Sequence, residues 1–586
     1  MRTESLNNLL YGSKERAYTI MRWTTYINTI LGILLLIYAH GIATDPVALK
    51  ITYIGIDVIL SIFVLFYFLR ILYSFERVNF LKRTKFEGAF IFLIFLNLIS
   101  DYVFDSPIIV NFFESIDIPL TLGLYRVVVT FFMITLLVIE IMETRINLIA
   151  MQVKPATTFI LSFILLISLG TSLFMMPKMT NTPEGMSFID ALFMSASAAC
   201  VTGLAVVDPG TYFTFNGQIV LLLLIQMGGL GIISFATFFA TFMRRGIGIK
   251  HHVVMQNMLD TESLYSTKGL LRKIVGLTLS IEALGALFIF VSWGQEVQFT
   301  SLGNKIFFSV FHAISAFCNA GFSLFPQGLY TLPVRNAYIL HLFVSGLIIF
   351  GGIGFPTIVD VLSPRNLRER LDAPWKNWRL LSRVTIYTSA GLIILGMVGF
   401  FLLEYYNTLR DKNLAEGIIT AFFQSVTTRT AGFNTVDIGE LTVPTVLLFI
   451  FLMFIGASPG STGGGIKTTT FLVIVLSVWT TIRGKKNLEI GNRTIPHSVS
   501  YKAFSIFAFA AIINLLALFT LSITDGQFDI LSLLFEQVSA FATVGLSTGI
   551  TAGLSDFGKF VIIVSMFVGR VGTLTLALAL SIPAKS

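Results

Sequence analysis

The sequence predicts an all-α polytopic membrane protein, in which four pseudo-symmetric helix–pore-loop–helix repeats surround one pore and follow four extra N-terminal transmembrane helices. Three observations predict this fold class. Of the 586 residues, 55% are hydrophobic and only 12% are charged, so the chain cannot supply the charged surface of a soluble protein. Apolar runs of about 20 residues, long enough to cross a ~30 Å hydrocarbon core, recur from end to end. A short glycine motif occurs four times along the chain.

Twelve apolar segments are candidates for membrane spans. They are 19–41, 50–73, 87–104, 118–143, 156–177, 217–243, 270–293, 337–359, 384–404, 443–482, 500–523 and 558–582. The first is too long for the core of a signal peptide and lacks an obvious cleavage site, so we expect it to be retained. The segment 443–482 is too long for one unbroken span and is predicted to be interrupted.

Positive charge alternates between the loops that join these spans. The basic loops contain Arg244, Arg245, Lys250, Lys268, Arg272 and Lys273, then Arg365, Arg368, Arg370, Lys376, Arg379 and Arg383, then Arg483, Lys485, Lys486, Arg493 and Lys502. Residues 101–125, in an alternate loop, contain acidic residues but no lysine or arginine. Because basic loops face the cytoplasm, both termini are predicted to be cytoplasmic. The net charge of +8 therefore reflects membrane topology and contact with lipid, and we expect no nucleic-acid partner.

The repeats are recognised by aligning the chain on a glycine. The four copies read SAACVTGL (197–204), SAFCNAGF (315–322), VTTRTAGF (426–433) and SAFATVGL (539–546). The aligned residues are Gly203, Gly321, Gly432 and Gly545, separated by 118, 111 and 113 residues, and a phenylalanine lies ten residues before each one, at Phe193, Phe311, Phe422 and Phe535. Glycine is frequent in this chain, with 47 copies. The shared register of phenylalanine and glycine nevertheless favours an internal repeat over chance.

The segment before each aligned glycine is apolar but too short to span the membrane, which predicts a re-entrant half-helix. The C-terminal end of such a helix carries partial negative charge and favours a cation. The backbone after it is tolerated at this depth only where it lines a watery path. Four such strands would form a ring of carbonyl oxygens around a cation. The candidate ion-binding residues are Val201, Thr202, Gly203, Asn319, Ala320, Gly321, Thr430, Ala431, Gly432, Thr543, Val544 and Gly545.

The repeats divide the chain into five predicted domains. They are an N-terminal module of four transmembrane helices (1–154) and pore repeats one (155–248), two (249–365), three (366–485) and four (486–586). The fourth span of the N-terminal module carries Arg126 as its only basic residue before the inner end. A voltage sensor needs several such charges. We therefore interpret this module as a packing or stabilising unit.

The four copies, together with TRTAGFNT (428–435) and GASPGSTGGGIKTTT (456–470), resemble the Trk/Ktr/HKT superfamily of potassium transporters, and the bacterial Ktr/Trk membrane subunits most of all. The resemblance covers roughly 150–586. It implies potassium uptake across the bacterial cytoplasmic (inner) membrane through a filter of one glycine per repeat, in a homodimer. In that superfamily a serine at the first filter glycine accompanies sodium transport, so the glycine at all four positions favours potassium.

The segment 443–482 contains its own interruption, because proline and several glycines between Gly456 and Gly465 cannot continue a regular helix. Broken helices at membrane depth mark transport paths. The resemblance implies that this segment is an intramembrane gating loop below the filter. Its predicted gate residues are Ser458, Pro459, Gly460, Gly463, Gly464, Gly465 and Lys467. A Walker A phosphate loop is the competing interpretation, but Ile466 interrupts that pattern and the flanking segments are membrane helices.

Two arginines lie within apolar or filter segments. Arg570 is the only charged residue between Val561 and Ala584, and an intramembrane arginine usually faces a protein interior or cavity. The resemblance makes Arg570 a gate residue that forms a cationic barrier below the filter; the alternative is a side chain that extends to the membrane surface. Arg429 precedes a filter glycine by three residues, and we predict that it faces away from the ion and supports the filter backbone.

Three further residues, Glu282, Cys200 and Cys318, lie within the pore repeats. Glu282 lies within the seventh span and is interpreted as a hydrogen-bonded structural carboxylate, with a cation-coupling site as the alternative. Cys200 and Cys318 occupy equivalent positions and are interpreted as small pore-wall residues. No catalytic dyad, metal-ligand spacing or complete nucleotide motif is present, so the sequence predicts an ion transporter or channel and not an enzyme.

The expected function is therefore potassium uptake through a gated, channel-like pore. A sodium-selective or sodium-coupled transporter on the same scaffold is the alternative, and activation by sodium is left open. No cofactor is expected in this chain, and potassium is its substrate. The resemblance also implies a separate cytosolic nucleotide-binding regulatory ring of the KtrA/TrkA type, with the basic residues of 360–383 as a docking surface.

Overall fold

A computed structural model of the chain describes residues 2–42, 45–74, 155–182, 185–243, 270–294, 297–373, 378–485, 487–490 and 493–572, with isolated residues between 79 and 99. The predicted span 118–143, most of 87–104, the end of 558–582 and the basic loop around Lys250 lie outside these ranges. The chain divides into two compact units. One consists of residues 1–152 with 299–305, and the other of residues 153–298 with 306–586.

The first unit contains two long helices. Helix α1 (Arg2–Ile37) continues into a short π-helix (Tyr38–Ile42), and helix α2 spans Pro46–Tyr73. The side chain of Asp45 caps the start of α2 by accepting hydrogen bonds from two backbone amides. Helix α1 begins well before the predicted span at residue 19, because the polar N-terminal segment is helical too. The two helices pack against each other through a cluster that includes Leu60 and Phe63.

The second unit contains four repeats, and each has an outer helix, a shorter pore helix and an inner helix. The outer helices are Pro155–Phe174, Leu270–Ser292, Leu380–Glu404 and His497–Thr524. The pore helices are Phe188–Ala199, Leu302–Cys318, Leu414–Thr427 and Ile530–Phe541. The inner helices are Phe215–Met243, Tyr338–Ile353 with Phe355–Leu362, Val443–Phe454 with Thr468–Ile482, and Asp556–Val571.

Polar side chains determine where the pore helices begin. Ser187 accepts a hydrogen bond from the amide of Asp190, and Asp529 accepts one from the amide of Leu531. Asn413 and Glu416 form a capping box, in which each side chain bonds the backbone amide of the other residue. These caps satisfy amides that have no partner within the helix. Each pore helix therefore has a defined start as well as the defined end described below.

The inner helix of repeat two differs from the prediction of one span over 337–359. It breaks at Gly354, whose φ of +86° no helix can contain, and its two parts are bent by 105°. The short helix Pro364–Asp372 follows directly. The predicted interruption of 443–482 is observed between Phe454 and Thr468. Within the described residues, five helices are long and apolar enough to cross a membrane, or six if the bent pair counts as one span.

The four repeats follow one another in cyclic order. The inner helix of repeat two packs on the pore helix of repeat three, that of repeat three on the pore helix of repeat four, and that of repeat four on the pore helix of repeat one. Lys559 and Asp190 form a salt bridge of 2.7 Å between repeats four and one. Contact between Gly229 and Cys318 joins repeat one to repeat two. The cycle is therefore closed.

One element was not predicted. Strands β1 (Leu488–Ile490) and β2 (Arg493–Ile495) form an antiparallel hairpin before the outer helix of repeat four. Leu488 is buried against Val473 and Ala503. This small hairpin leaves the fold class unchanged, because the described part of the unit is otherwise helical.

Candidate functional site

The four aligned glycines lie next to one another in a closed ring. All four have positive φ, between +69° and +96°, a backbone conformation that residues with a Cβ atom rarely adopt. A Cβ atom added to any one of them would collide with a carbonyl oxygen of the next repeat. The pairs, in cyclic order, are Gly203 with Ala320, Gly321 with Ala431, Gly432 with Val544, and Gly545 with Thr202. Absence of a side chain is therefore what allows the four strands to approach this closely.

The residue two positions before each of these glycines also has an unusual backbone conformation. Val201, Asn319, Thr430 and Thr543 also have positive φ, between +52° and +84°. This conformation is uncommon for any residue except glycine and costs about 1–3 kcal/mol where the surroundings impose it. In repeats one, two and four the next amide, such as that of Thr202, bonds the carbonyl five residues earlier. The pore helix therefore ends in the same turn in these three repeats.

Hydroxyl groups fix the strand that leaves this turn. Ser197 accepts a hydrogen bond from the amide of Gly203 at 3.1 Å, and Ser539 does the same for Gly545 at 3.1 Å. In repeats two and three the hydroxyls donate instead to the carbonyl after the glycine, as in Ser315 to Phe322 at 2.8 Å and Thr427 to Phe433 at 2.7 Å. The serine shared by three copies of the motif thus has a structural task that the sequence did not reveal.

The ring has the chemistry of a cation site. Each glycine lies beside a backbone carbonyl of the next repeat, and carbonyls arranged in a ring can replace the hydration shell of an alkali cation. The pore helices end at this ring, so their partly negative ends lie beside it. The described residues contain no group of histidine, cysteine, aspartate or glutamate that could hold a metal ion. The carbonyls beside the glycines are the candidate ligands.

The interruption in repeat three forms a buried loop, which we call the intramembrane loop (residues 455–467). Ile455 and Ile466 pair as a parallel bridge, and the amide of Ala457 bonds the carbonyl of Gly464 at 3.3 Å. Lys467 donates through Nζ to the carbonyl of Gly463 at 2.8 Å. Ser458 is fully buried. The chain thus enters and leaves the loop at neighbouring points.

The broken inner helix of repeat two holds one side of the intramembrane loop. The amide of Ser458 donates to the carbonyl of Gly352 at 3.0 Å, and that of Phe355 donates to the carbonyl of Gly460 at 3.0 Å. A Cβ atom at Gly354 would meet the carbonyl of Pro459. The sequence prediction missed this partner, although FGGIGFP (350–356) contains the glycines and proline that signal a break.

The other side of the intramembrane loop lies against the ring. The amide of Gly464 donates to Oγ1 of Thr543 at 2.9 Å. A Cβ atom at Gly463 would lie 2.9 Å from Cβ of Thr430, and φ of +72° at Gly465 favours glycine there. Of the seven predicted loop residues, Ser458, Pro459 and Gly460 therefore lie against the inner helix of repeat two, Gly463, Gly464 and Gly465 lie against the ends of the pore helices, and Lys467 closes the loop.

Arg570 connects the intramembrane loop to repeat one. Its guanidinium donates to the carbonyl of Thr462 and to the carbonyl of Gly228, and only 2% of the residue is exposed. The side chain thus ends inside the protein and does not extend to its surface. Through Arg570, Thr543 and Gly352, the loop contacts elements of repeats one, four and two.

Arg429 points away from the ring. Its Nη1 donates to the carbonyl of Ser389 in the outer helix of the same repeat, at 3.1 Å. Among the described residues this is the hydrogen bond that its guanidinium forms, so the side chain supports repeat three from behind and does not bond the filter carbonyls themselves. The hydrogen bond of this buried arginine nevertheless connects the start of the filter strand of repeat three to the outer helix Leu380–Glu404.

Glu282, Gln226 and Cys318 form a small buried cluster. Gln226 donates to Oε2 of Glu282 at 3.1 Å, and Sγ of Cys318 lies 3.8 Å from Oε1. Each carboxylate oxygen of Glu282 therefore has a hydrogen-bonding contact, which reduces the cost of burying it. Both Cys318 and Cys200 are buried free thiols at the ends of pore helices.

The sequence analysis did not identify a further set of glycines that contact the pore helices. Gly228, Gly351 and Gly569 each lie against a pore-helix carbonyl of their own repeat, so that a Cβ atom would collide with Ala199, Phe317 or Phe541. The signal was the recurring pattern QMGGLG (226–231), IFGGIG (349–354) and FVGRVG (567–572). In this alignment Arg570 occupies the position of Gly229 and Gly352. One arginine thus replaces a glycine of the repeat.

Fold and ring together define a multi-pass membrane protein of the cation-transporter class. Residues 126–586 match the family model described as TrkH, cation transport protein, and the chain belongs to this family. Members of this family are ion transporters, so the chain is not an enzyme.

Several characterised relatives align over most of their length. The chain is 40% identical to Ktr system potassium uptake protein B of Bacillus subtilis over 426 residues, which cover 72% of this chain and 92% of the relative. It is 34% identical to the potassium/sodium uptake protein NtpJ of Enterococcus hirae over 437 residues, covering 74% and 94%. The crystal structure of the potassium transporter TrkH from Vibrio parahaemolyticus matches with a TM-score of 0.59 at 20% identity, covering 78% of this chain and 92% of that one. This last likeness concerns the fold.

Proposed function

We propose that this chain mediates potassium uptake, with the ring of Gly203, Gly321, Gly432 and Gly545 as its selectivity filter. The observation that carries this proposal is the cyclic contact of each glycine with the preceding carbonyl of the next repeat. A ring of this kind presents backbone oxygens to an alkali cation from four sides. The relatives named as potassium uptake proteins support the choice of ion. This filter consists of twelve residues, from Val201 to Gly203, Asn319 to Gly321, Thr430 to Gly432 and Thr543 to Gly545.

A sodium-selective or sodium-coupled transporter is the second candidate. The Enterococcus hirae relative is named for both ions, and the same scaffold could serve either. Glycine at all four filter positions favours potassium, because the resemblance associates serine at the first position with sodium. Ion replacement in a transport assay separates the two functions.

The intramembrane loop and Arg570 form the proposed gate. Within the loop residues from Ser458 to Lys467, Gly463 and Gly464 lie beside the filter residues Thr430 and Thr543, and Arg570 bonds both the loop and repeat one. A cation that leaves the filter on this side must displace the loop and pass a guanidinium. Opening therefore requires that the loop lose the hydrogen bonds from the amides of Thr462 and Ser458 to the carbonyls of Gly351 and Gly352, at 3.3 and 3.0 Å.

Regulation is proposed to act through the cytoplasmic end of repeat two. There Asp360 is buried and accepts hydrogen bonds from Nη2 of Arg370 and the amide of Arg379, each at 3.0 Å. This cluster immediately follows Gly354, where the intramembrane loop docks. A cytosolic nucleotide-binding ring that displaced the short helix Pro364–Asp372 could thus move the gate. We further propose a homodimer in the bacterial cytoplasmic membrane with both termini in the cytoplasm.

The test is ion flux into liposomes that contain the purified full-length protein. Potassium uptake driven by a potassium gradient should exceed sodium uptake under the matched sodium gradient by at least tenfold. Equal uptake, or a preference for sodium, would contradict potassium selectivity and favour the second candidate. Potassium uptake that appears only with sodium present would indicate coupling. Empty liposomes provide the baseline.

A further inference from the structure

Hydrogen bonds join the pore helix to the strand that follows the filter glycine in three of the four repeats. In repeat two, Nε2 of His312 lies 3.0 Å from Oγ of Ser323. In repeat three, Nε2 of Gln424 donates to Oγ1 of Thr435 at 2.9 Å. In repeat four, Oε1 of Glu536 accepts from the hydroxyl of Ser547 and from the amide of Thr548. We call these contacts the filter staples.

The filter staples occupy equivalent positions. His312 and Glu536 each precede their filter glycine by nine residues, and Ser323 and Ser547 each follow it by two. Gln424 precedes Gly432 by eight residues and Thr435 follows it by three, so in repeat three both partners are displaced by one position. An imidazole, an amide and a carboxylate thus form the same connection. The side chains that form the staples differ in chemistry, but the places that they connect are the same. The feature shared by the three repeats is therefore the position at which the strand after the filter glycine is held.

Burial makes these contacts strong constraints. His312, Gln424 and Glu536 have no exposed surface, and an unpaired polar group at such a site costs more than its hydrogen bond contributes on balance. His312 is itself held by a contact between Nδ1 and the carbonyl of Phe308 at 2.7 Å. Glu536 receives a third bond, from Oγ1 of Thr551 at 3.1 Å. The side chains of His312 and Glu536 are therefore held by a further hydrogen bond, whereas that of Gln424 has the contact with Thr435 alone among the described residues.

Repeat one is different. The residues equivalent to His312 and Ser323 are Met194 and Ala205. Alanine has no hydrogen-bonding side chain and the thioether of methionine is only a weak acceptor, so this pair cannot form the hydrogen bond that the other repeats form. Met194 is nevertheless fully buried, so this position is filled by packing alone. One quarter of the ring thus lacks the connection.

We propose that His312, Gln424 and Glu536 are positioning residues that set the width of the carbonyl ring, and that the strand of repeat one is its compliant side. This inference rests on the proposed function. Sodium is smaller than potassium, so a ring that can follow it inward loses discrimination against it. Each filter staple resists that movement, because it ties the strand beyond the glycine to a buried helix.

The experiment measures potassium and sodium flux of full-length variants in liposomes. Ser323→Ala and Thr435→Val remove the strand-side hydroxyl of a staple with little change in volume. Each should lower the potassium-to-sodium flux ratio roughly tenfold, the change that corresponds to loss of one hydrogen bond, mainly by raising sodium flux. Glu536→Gln keeps an oxygen acceptor and should stay within about twofold of the wild-type ratio, whereas Glu536→Ala should not. Met194→Leu in repeat one is the matched control and should leave the ratio unchanged.

Thermal stability of each purified variant separates positioning from folding. A variant whose two fluxes fall in proportion, with an unchanged ratio, shows a purely structural role and overturns the proposal. The same holds if Glu536→Gln and Glu536→Ala change the ratio equally. A wild-type protein that prefers sodium contradicts the proposed function instead. In that case, a change of ratio confined to the staple variants still supports the positioning role.

Discussion

At the scale of single residues, the filter glycines owe their identity to contact with the neighbouring repeat. Gly203 has φ of +96°, and a Cβ atom there would collide with the carbonyl of Ala320. A side chain at this position therefore both strains its own backbone and displaces one oxygen of the ring. The strain is about 1–3 kcal/mol, which corresponds to roughly 5- to 150-fold in an equilibrium constant.

Gly203→Ser should therefore reduce the potassium-to-sodium flux ratio roughly tenfold while the protein still folds. Gly346→Ser is the matched control, because a Cβ atom at Gly346 meets nothing within 4 Å. Flux ratios measured in liposomes decide the matter. An unaltered ratio in folded Gly203→Ser would show that Gly203 is not a filter residue.

Arg570 places a positive charge close to the proposed path. Two unit charges ~6 Å apart repel by about 3 kcal/mol at an effective dielectric constant near 20, which slows passage roughly a hundredfold. Arg570→Ala should accordingly raise potassium flux per folded protein. Arg570→Lys keeps the charge but cannot bond Thr462 and Gly228 together through a planar fork. It should raise flux less.

The result expected for the two Arg570 variants is different if the arginine holds the loop but does not repel the ion. If Arg570 only ties the loop to repeat one, the lysine variant should behave like the alanine variant. Flux at or below the wild-type value in Arg570→Ala, after normalisation to folded protein, would contradict both roles in gating.

Side-chain identity decided which residues could be predicted from the sequence. The four glycines were recognisable because the same residue recurs at one offset. A left-handed backbone conformation is shared by Val201, Asn319, Thr430 and Thr543. These residues have no side-chain type in common, so no sequence pattern predicted the conformation. The filter staples were hidden for the same reason, since His312, Gln424 and Glu536 have only their positions in common. Arg429 was predicted to face away from the ion, but its partner Ser389 lies 40 residues distant in sequence.

At the scale of elements, the intramembrane loop depends on a break in a neighbouring helix. Gly354 allows the sharp bend of the inner helix of repeat two and lies against the carbonyl of Pro459. Hydropathy could not show this break, because residues 337–359 form one continuous apolar run. The glycines and proline of FGGIGFP (350–356) were the available signal, of the same kind as the proline and cluster of glycines from which the interruption in repeat three was predicted.

Gly354→Ala should weaken the docking of the intramembrane loop, because it forces a Cβ atom into a positive-φ position and against that carbonyl. We expect potassium flux to rise several-fold with little change in the potassium-to-sodium ratio. Gly346→Ala is the matched control, since a Cβ atom at Gly346, in the same inner helix, would meet nothing within 4 Å.

Flux measurements on both variants, with thermal stability as the check on folding, test this expectation. A folded Gly354→Ala protein with wild-type flux would argue against a gating role for the loop. Shortening the loop between Ser458 and Gly465 should likewise raise flux, and it supplies a second variant should Gly354→Ala fold poorly.

At the scale of the whole molecule, the central claim is that four unlike repeats enclose one ion path. Cyclic packing of inner helices on pore helices and the Lys559–Asp190 salt bridge between repeats four and one close this arrangement. The repeat alignment predicted four repeats around one pore but not the contacts that close the ring, because contacts between residues several hundred positions apart leave no periodic trace in the sequence.

Rubidium, a heavier analogue of potassium, tests this claim most directly. Crystals of the full-length protein grown with rubidium salts should show one strong anomalous peak on the axis enclosed by Gly203, Gly321, Gly432 and Gly545. Gly203→Ser crystals should show a weaker peak at the same place. A wild-type structure with an empty ring and the ion bound elsewhere, such as beside Glu282, would contradict the account.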